Sequence, residues 1–233
     1  MAYTFAASAT GGSTGGGKTV ATSSTLNIVA GDLIVAFAEW KIGASGGLTI
    51  AGATNSLTVG TELNEAGNLF LRSGVELIAV ADAAETFTAT LTNSQYDRSI
   101  IVLQFHATGT TTADQAEASG TGWDTAPITG NITTTGTDEV VASAILHDGA
   151  AYTTVEQIGD TAADGVVDIT VDSNYRSAWY RILTGTAAGI HSQATLGATT
   201  DWLIDLLSFK ATAAAGGTNV SKYKKYYDYR RAQ

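Results

Sequence analysis

The sequence predicts an all-β protein: an antiparallel two-sheet, jelly-roll-like sandwich made of two similar halves, with extended arms at both ends. Composition is the first reason. The chain has 26 glycines, one proline (Pro127) and only 15% charged residues. Small and β-branched residues suit pleated strands and tight turns, and helix-favouring runs of Glu, Lys and Leu are missing. The second reason is punctuation. Short apolar runs recur between turn residues roughly every eight to twelve positions, the spacing of sandwiches and barrels. The third is self-similarity. "GDLIVAFA" from Gly31 matches "TDEVVASA" from Thr137, and "TATLTNSQYDRSIIVLQFHAT" matches "SQATLGATTDWLIDLLSFKAT". Asp32 then pairs with Asp138, Leu91 with Leu196 and Phe105 with Phe209, a nearly constant offset.

Residues 1–24 are Gly, Ser, Thr and Ala with few apolar anchors, and read as an N-terminal arm. Residues 25–212 read as the sandwich, with repeats at 25–108 and 130–212. Asp32 to Trp40 is a short apolar run whose length and branching favour a buried strand. "NLFLRSGVELIAV", "ETFTATLT" and "SIIVLQFHAT" follow as further strands. The inward faces are expected from Leu33, Val35, Phe37, Ile101, Leu103, Phe105, Val141, Ile145, Leu203 and Phe209, which would close over one core. Residues 213–233 read as a small-residue linker and a tail.

"GSTGGGKT", Gly12 to Thr19, fits the phosphate-binding pattern G-x-x-x-x-G-K-[ST]. Such a loop works where a buried strand feeds it and a helix leaves it. "VATSSTLNIVAGD" has no amphipathic stripe, so Lys18 is read as part of the arm. "GASGG" at Gly43 fits the spelling of the G-x-S-x-G nucleophile pattern, but that pattern works on a strand-to-helix elbow and no helix is expected to follow it. His106, His147 and His191 lack the i, i+4 metal spacing. Asp160, Asp164, Asp168 and Asp172 form close acid pairs, but turns and strand edges explain them, and "DTAADG" does not follow an EF-hand loop. With no cysteine, thiol chemistry and thiolate metal sites are excluded. No catalytic residue, metal ligand or cofactor is therefore assigned. Of Trp40, Trp123, Trp179 and Trp202, only Trp123 in "GTGWDTAPI" reads as a loop aromatic, a candidate glycan contact.

Charge is uneven. Residues 1–218 hold seven Lys/Arg against twenty-one Asp/Glu, a net of −14; residues 219–233 hold five against one, a net of +4. The acidic body argues against nucleic acid. No apolar run is long enough to span a bilayer. "MAYTFAASATGGS" lacks a charged region and an apolar core, so no signal peptide is expected. The tail "NVSKYKKYYDYRRAQ" concentrates Tyr and Arg, residues that carry energy in interfaces. Tyr223, Lys224, Lys225, Tyr226, Tyr227, Tyr229, Arg230 and Arg231 are the candidate partner-binding residues.

"TLNIVAGDLIVAFAEW", "LTVGTEL", "SIIVLQFHAT" and "LLSFKAT" together resemble a β-sandwich domain of tailed-bacteriophage structural proteins, over residues 22–212. The resemblance implies a non-enzymatic virion protein, a head decoration or a fibre or appendage component, assembled in the host cytoplasm. Its partners would be other virion proteins and copies of itself, trimers being common in that group. A carbohydrate-binding or receptor-binding module is the alternative expectation.

Overall fold

The computed structural model describes residues 2–41, 46–65, 68–148, 152–172 and 174–213. Among them there is no helix; the architecture is all-β, in several antiparallel sheets. The first half holds β1 (Tyr3–Ser13), β2 (Gly17–Ala21), β3 (Leu26–Ile28), β4 (Leu33–Lys41), β5 (Leu48–Ala51), β6 (Ser56–Val59), β7 (Leu63–Glu65), β8 (Leu69–Glu76), β9 (Asp82–Glu85) and β10 (Thr88–Ala107). The second holds β11 (Gly109–Ala113), β12 (Ala118–Asp124), β13 (Glu139–His147), β14 (Tyr152–Ile158), β15 (Gly165–Val171), β16 (Asn174–Leu183), β17 (Ser192–Leu196) and β18 (Thr200–Ala213).

β10 organises the first half. Its later residues pair with β1 and β4, while its first residues pair with β2 and β5. The register shifts between Tyr96 and Ser99, and Asp97 between them has φ 44°. Asp tolerates this left-handed conformation better than most side chains, so it lets a bulge bend the strand. The bend allows the path β10–β4–β8–β6–β5 to return to β10. Ile34, Ala36, Trp40, Ile50, Phe70 and Val102 fill the enclosed space. Trp40 and Phe70 stack there at 5.4 Å.

The second half is built on the order β11-β18-β13-β16-β15, with β12 also on β18 and a separate β14–β17 pair. Val141, Ile145, Trp179, Trp202 and Ile204 form its own core. The opposite faces of the two large sheets meet in a third core. Leu33, Val35, Phe37, Ile101, Leu103 and Phe105 come from one half; Val140, Ala142, Leu203 and Phe209 come from the other. Phe5 stacks on Tyr180 at 4.6 Å, and Phe105 meets Tyr180 edge-on at 5.1 Å.

The interior is thus divided into three clusters where the sequence suggests one. Eight of the ten expected core residues lie between the halves, whereas Val141 and Ile145 face the outer core of the second half. The reason is parity. β4 and β13 are buried at every position, because apolar residues occupy both alternating faces. A strand of that kind needs cover on both sides.

The expected N-terminal arm is corrected. Residues 3–13 and 17–21 are strands, both antiparallel to β10. Tyr3 is fully buried and its hydroxyl donates to Thr111 Oγ1 at 3.2 Å, tying β1 to β11. Burial pushes that phenol up to about 12. The "GSTGGGKT" stretch spans the end of β1, a turn and the start of β2. Gly12 and Gly17 within it answer to packing. A Cβ on Gly17 would lie 2.3 Å from the Arg98 guanidinium, which donates to Ser13 Oγ and to the Gly15 carbonyl, both at 2.8 Å. The Asp of the repeated strand opening also has a local reason. Buried Asp32 accepts from the Val29 amide, Gln104 Nε2 and His106 Nδ1.

Candidate functional site

A cleft of about 410 Å³ opens between the two halves. Val59, Val75, Leu77, Leu207 and Phe209 give it apolar walls, while Ser73, Glu76, Gln115 and Glu117 supply polar groups. β6 and β8 form one wall and β11 and β18 the other, with Gln115 and Glu117 on the β11–β12 connection. Gly60 packs closely against the polar end, since a Cβ there would stand 2.7 Å from Ser73 Oγ and 3.4 Å from Glu117 Oε2. Arg72 pins this rim by donating to the Gly60 carbonyl from Nε and a terminal nitrogen, at 3.2 and 2.9 Å.

Two carboxyls meet at that end. Ser73 Oγ donates to Glu117 Oε1 at 3.3 Å, and the Asp205 carboxyl lies against both. Asp205 is fully buried on β18, at the same parity as Leu203, Leu207 and Phe209. Its Oδ1 accepts from the Leu206 amide at 2.9 Å. Burial, and then the neighbouring Glu117 charge, hold Asp205 well above the usual carboxylate range. Two adjacent carboxyls in a dry place keep a proton between them unless a cation replaces it. The sequence signal was an isolated acid inside the apolar strand "WLIDLLSF".

A second polar cluster lies toward the other end of β4. Glu39 is buried, and burial raises its carboxyl to about 7 against the lowering effects of Arg176 and Ser99. Ser99 Oγ donates to Glu39 Oε2 at 2.8 Å, and Arg176 Nε stands 3.9 Å from the same oxygen. Arg176 also donates to the Asp97 carbonyl, at the bend of β10. Lys41 Nζ donates to Asp148 at 2.6 Å and to Asn174 Oδ1 at 3.1 Å. His147 is buried beside Tyr175, and burial lowers its imidazole to about 4. Through Glu39, Lys41 and Arg176 these groups join β4 and β10 to β16 and to the end of β13.

Both raised carboxyls carry a pH consequence. An acid raised on folding contributes stability at low pH, which is lost as pH rises through its folded value. His147 is lowered, so its opposing contribution is complete above about pH 6.5. Glu39's contribution is therefore expected to be lost as pH rises from about 4.5 to about 7, opposed by His147 up to about pH 6.5, and Asp205's to be lost as pH rises above the ordinary carboxylate range. Asp205→Asn removes the second of these losses. In urea denaturation the variant gains on the parent as pH rises; a gap that stays constant as pH rises above that range would refute the assignment.

The sequence-predicted residues are scattered. Trp123 lies on edge strand β12 and is 64% exposed. Its neighbour Asp124 accepts from Trp202 Nε1 at 3.0 Å. His106 contacts Asp32, and His191 Nε2 stands 3.4 Å from Asp160. Asp164 accepts from the Ile182 amide and Asp168 from Ser177, so these acids are committed along β15 and β16. Among the described residues, no group of three or more His, Asp or Glu is placed to hold a metal ion. Tyr223, Lys224, Lys225, Tyr226, Tyr227, Tyr229, Arg230 and Arg231 lie outside the described residues. The cleft, with Ser73, Glu117 and Asp205, is the site that sequence reasoning missed.

Comparison of the chain with protein-family models, with curated proteins and with solved structures yields no match.

Proposed function

We propose that this chain is a non-enzymatic structural protein of a particle such as a phage virion, a head decoration or appendage component that assembles with copies of itself and with other particle proteins. The supporting observation is where the body's cations go. Lys41, Arg72, Arg98, Arg176, Arg181 and Lys210 all donate hydrogen bonds within the body. Of the seven Lys/Arg in residues 1–218, these are six, against twenty-one acids. The body thus faces outward with negative charge, complementary to the basic, tyrosine-rich 219–233 segment. Tyr and Arg buried in a neighbour's groove supply the contact, and charge sets its register.

Ending the chain after Thr218 tests this. The shortened protein is expected to keep the melting temperature of the full chain and to lose incorporation into its particle. Normal incorporation would end the assembly reading.

The jelly-roll-like, two-half reading of the fold belongs here as well. Its support is the parallel between the orders β1-β10-β4-β8 and β11-β18-β13-β16. The pairs Phe105↔Leu33 and Phe209↔Val140 both lie in the layer between the halves, one residue out of step with the Asp32–Asp138 alignment. Duplication of one sandwich unit accounts for the common strand order.

A second reading, a carbohydrate- or receptor-binding module, is favoured by exposed Trp123 on an edge strand. A glycan array would register binding that Trp123→Ala removes. Unchanged binding by the variant would move the site elsewhere.

A further inference from the structure

We propose that Lys41 and Asn174 are the site of an amide cross-link, formed by the folded chain on itself, that ties the two halves covalently. The inference goes beyond the assembly reading and does not depend on it.

Geometry carries the proposal. Lys41 closes β4 and Asn174 opens β16, so the pair spans the junction between the halves, 133 residues apart in sequence. Lys41 Nζ stands 3.1 Å from Asn174 Oδ1 and 2.6 Å from Asp148 Oδ1. An amine, a carboxamide and a carboxylate thus meet at one point. An amide oxygen at that distance places its carbon at most about 4.3 Å from the amine. Bonds form from separations of about 3–3.5 Å, so a shift of about 1 Å suffices. Lys41 and Asn174 are 9% and 4% exposed, which limits competing attack by water.

Each group is held through its backbone. Lys41 pairs with Leu69 of β8 and with Tyr96 of β10. Asn174 pairs with Val171 across the β15–β16 hairpin, and its Nδ2 donates to the Asp172 carbonyl at 3.2 Å, which sets the plane of the amide. The Asp148 amide donates to the Asp201 carbonyl at 3.1 Å, and the Asp148 carbonyl accepts from Thr200 Oγ1. Groups fixed in this way react at high effective concentration, which offsets the low reactivity of an amide.

The chemistry is aminolysis, with Asp148 as proton carrier. Asp148 accepts a proton from the Lys41 ammonium and leaves an amine with a free electron pair. That pair forms the Nζ–Cγ bond, and the carbonyl electrons move onto Oδ1. Asp148 passes its proton to Nδ2, the carbonyl re-forms, and the Cγ–Nδ2 bond breaks to release ammonia. The carboxylate then takes the last proton that Nζ must shed and hands it to the ammonia. Ammonium leaves, and Asp148 ends as it began.

Mass spectrometry of the full-length chain, incubated at neutral pH, is the test. The chain is expected to weigh one ammonia less than its sequence requires. Its digest is expected to contain a branched peptide joining Lys41 to Asn174. Lys41→Arg keeps the charge but lacks the amine, and is expected to show the full mass. It should also melt below the parent, because a cross-link restricts the unfolded chain. Asp148→Asn is expected to form the bond about a hundredfold more slowly, the low end of what a positioned proton carrier contributes. A parent of full mass, with Lys41 and Asn174 in separate linear peptides, would overturn the proposal. So would an ammonia lost within one linear peptide, as when an asparagine cyclises on its own backbone. Bond formation at the parent rate in Asp148→Asn would overturn the role given to that carboxylate.

Discussion

Arg176→Ala is expected to lower the unfolding free energy by about 3–5 kcal/mol, the usual cost of removing one partner from a buried charged network. The side chain is fully buried at the start of β16. It reaches across the junction to Glu39 on β4 and to the Asp97 carbonyl on β10. Asp97 is where β10 bends, in a left-handed conformation that needs support from its surroundings. Alanine would leave a void, remove a donor from a buried carbonyl and leave Glu39 without its neighbouring guanidinium. Arg176→Lys is expected to recover only part of the loss, since an ammonium cannot reproduce the planar fork. Urea denaturation at pH 7 checks both variants. A loss under about 1 kcal/mol for Arg176→Ala would mean that the cluster does not hold the halves.

Phe105→Ala is expected to cost a similar amount, about 3–5 kcal/mol, by opening a cavity in the layer between the halves. Phe105 has no exposed surface. Its ring meets Tyr180 of the second half at 5.1 Å and Phe5 of β1 at 5.8 Å. The layer draws on both large sheets, so the loss should appear in every probe of unfolding, whichever half reports it. Fluorescence of the tryptophans and far-ultraviolet circular dichroism should shift to the same lower denaturant midpoint. A shift in one signal alone would show that the two halves unfold separately.

Much of the fold was legible because its signals are local. The runs around Leu33 and Val140 are short, branched and bounded by turn residues, and both became central strands. Glycine and threonine abundance anticipated an architecture of strands and tight connections. The arrangement of layers was harder to read. An apolar run such as "LIVAFAEW" tells that a strand is buried, but not that its two faces enter different cores. The N-terminal residues misled for the opposite reason. Tyr3 is the main anchor in a stretch of Gly, Ala, Ser and Thr, and β1 forms because β10 offers it a long partner. That pairing spans about a hundred residues of sequence, which local pattern cannot register.

The cleft was illegible for a related reason. Ser73, Glu117 and Asp205 come from three separate segments, and no spacing rule links them. Only Asp205 left a trace, as an acid where alternation called for an apolar residue. The "GSTGGGKT" match shows the converse. A motif was present at every fixed position, yet the chain around it forms two strands and a turn, with Gly17 set by the Arg98 guanidinium. Context, not spelling, gives such a stretch its chemistry.

The two halves are coupled through one feature: both stand on a common inner layer of side chains. Differential scanning calorimetry of the full chain, with and without Phe105→Ala, measures this directly. The expected result is a single transition whose calorimetric and van't Hoff enthalpies agree, moved as a whole to lower temperature by the substitution. Two resolved transitions, only one of them moved by the substitution, would contradict it.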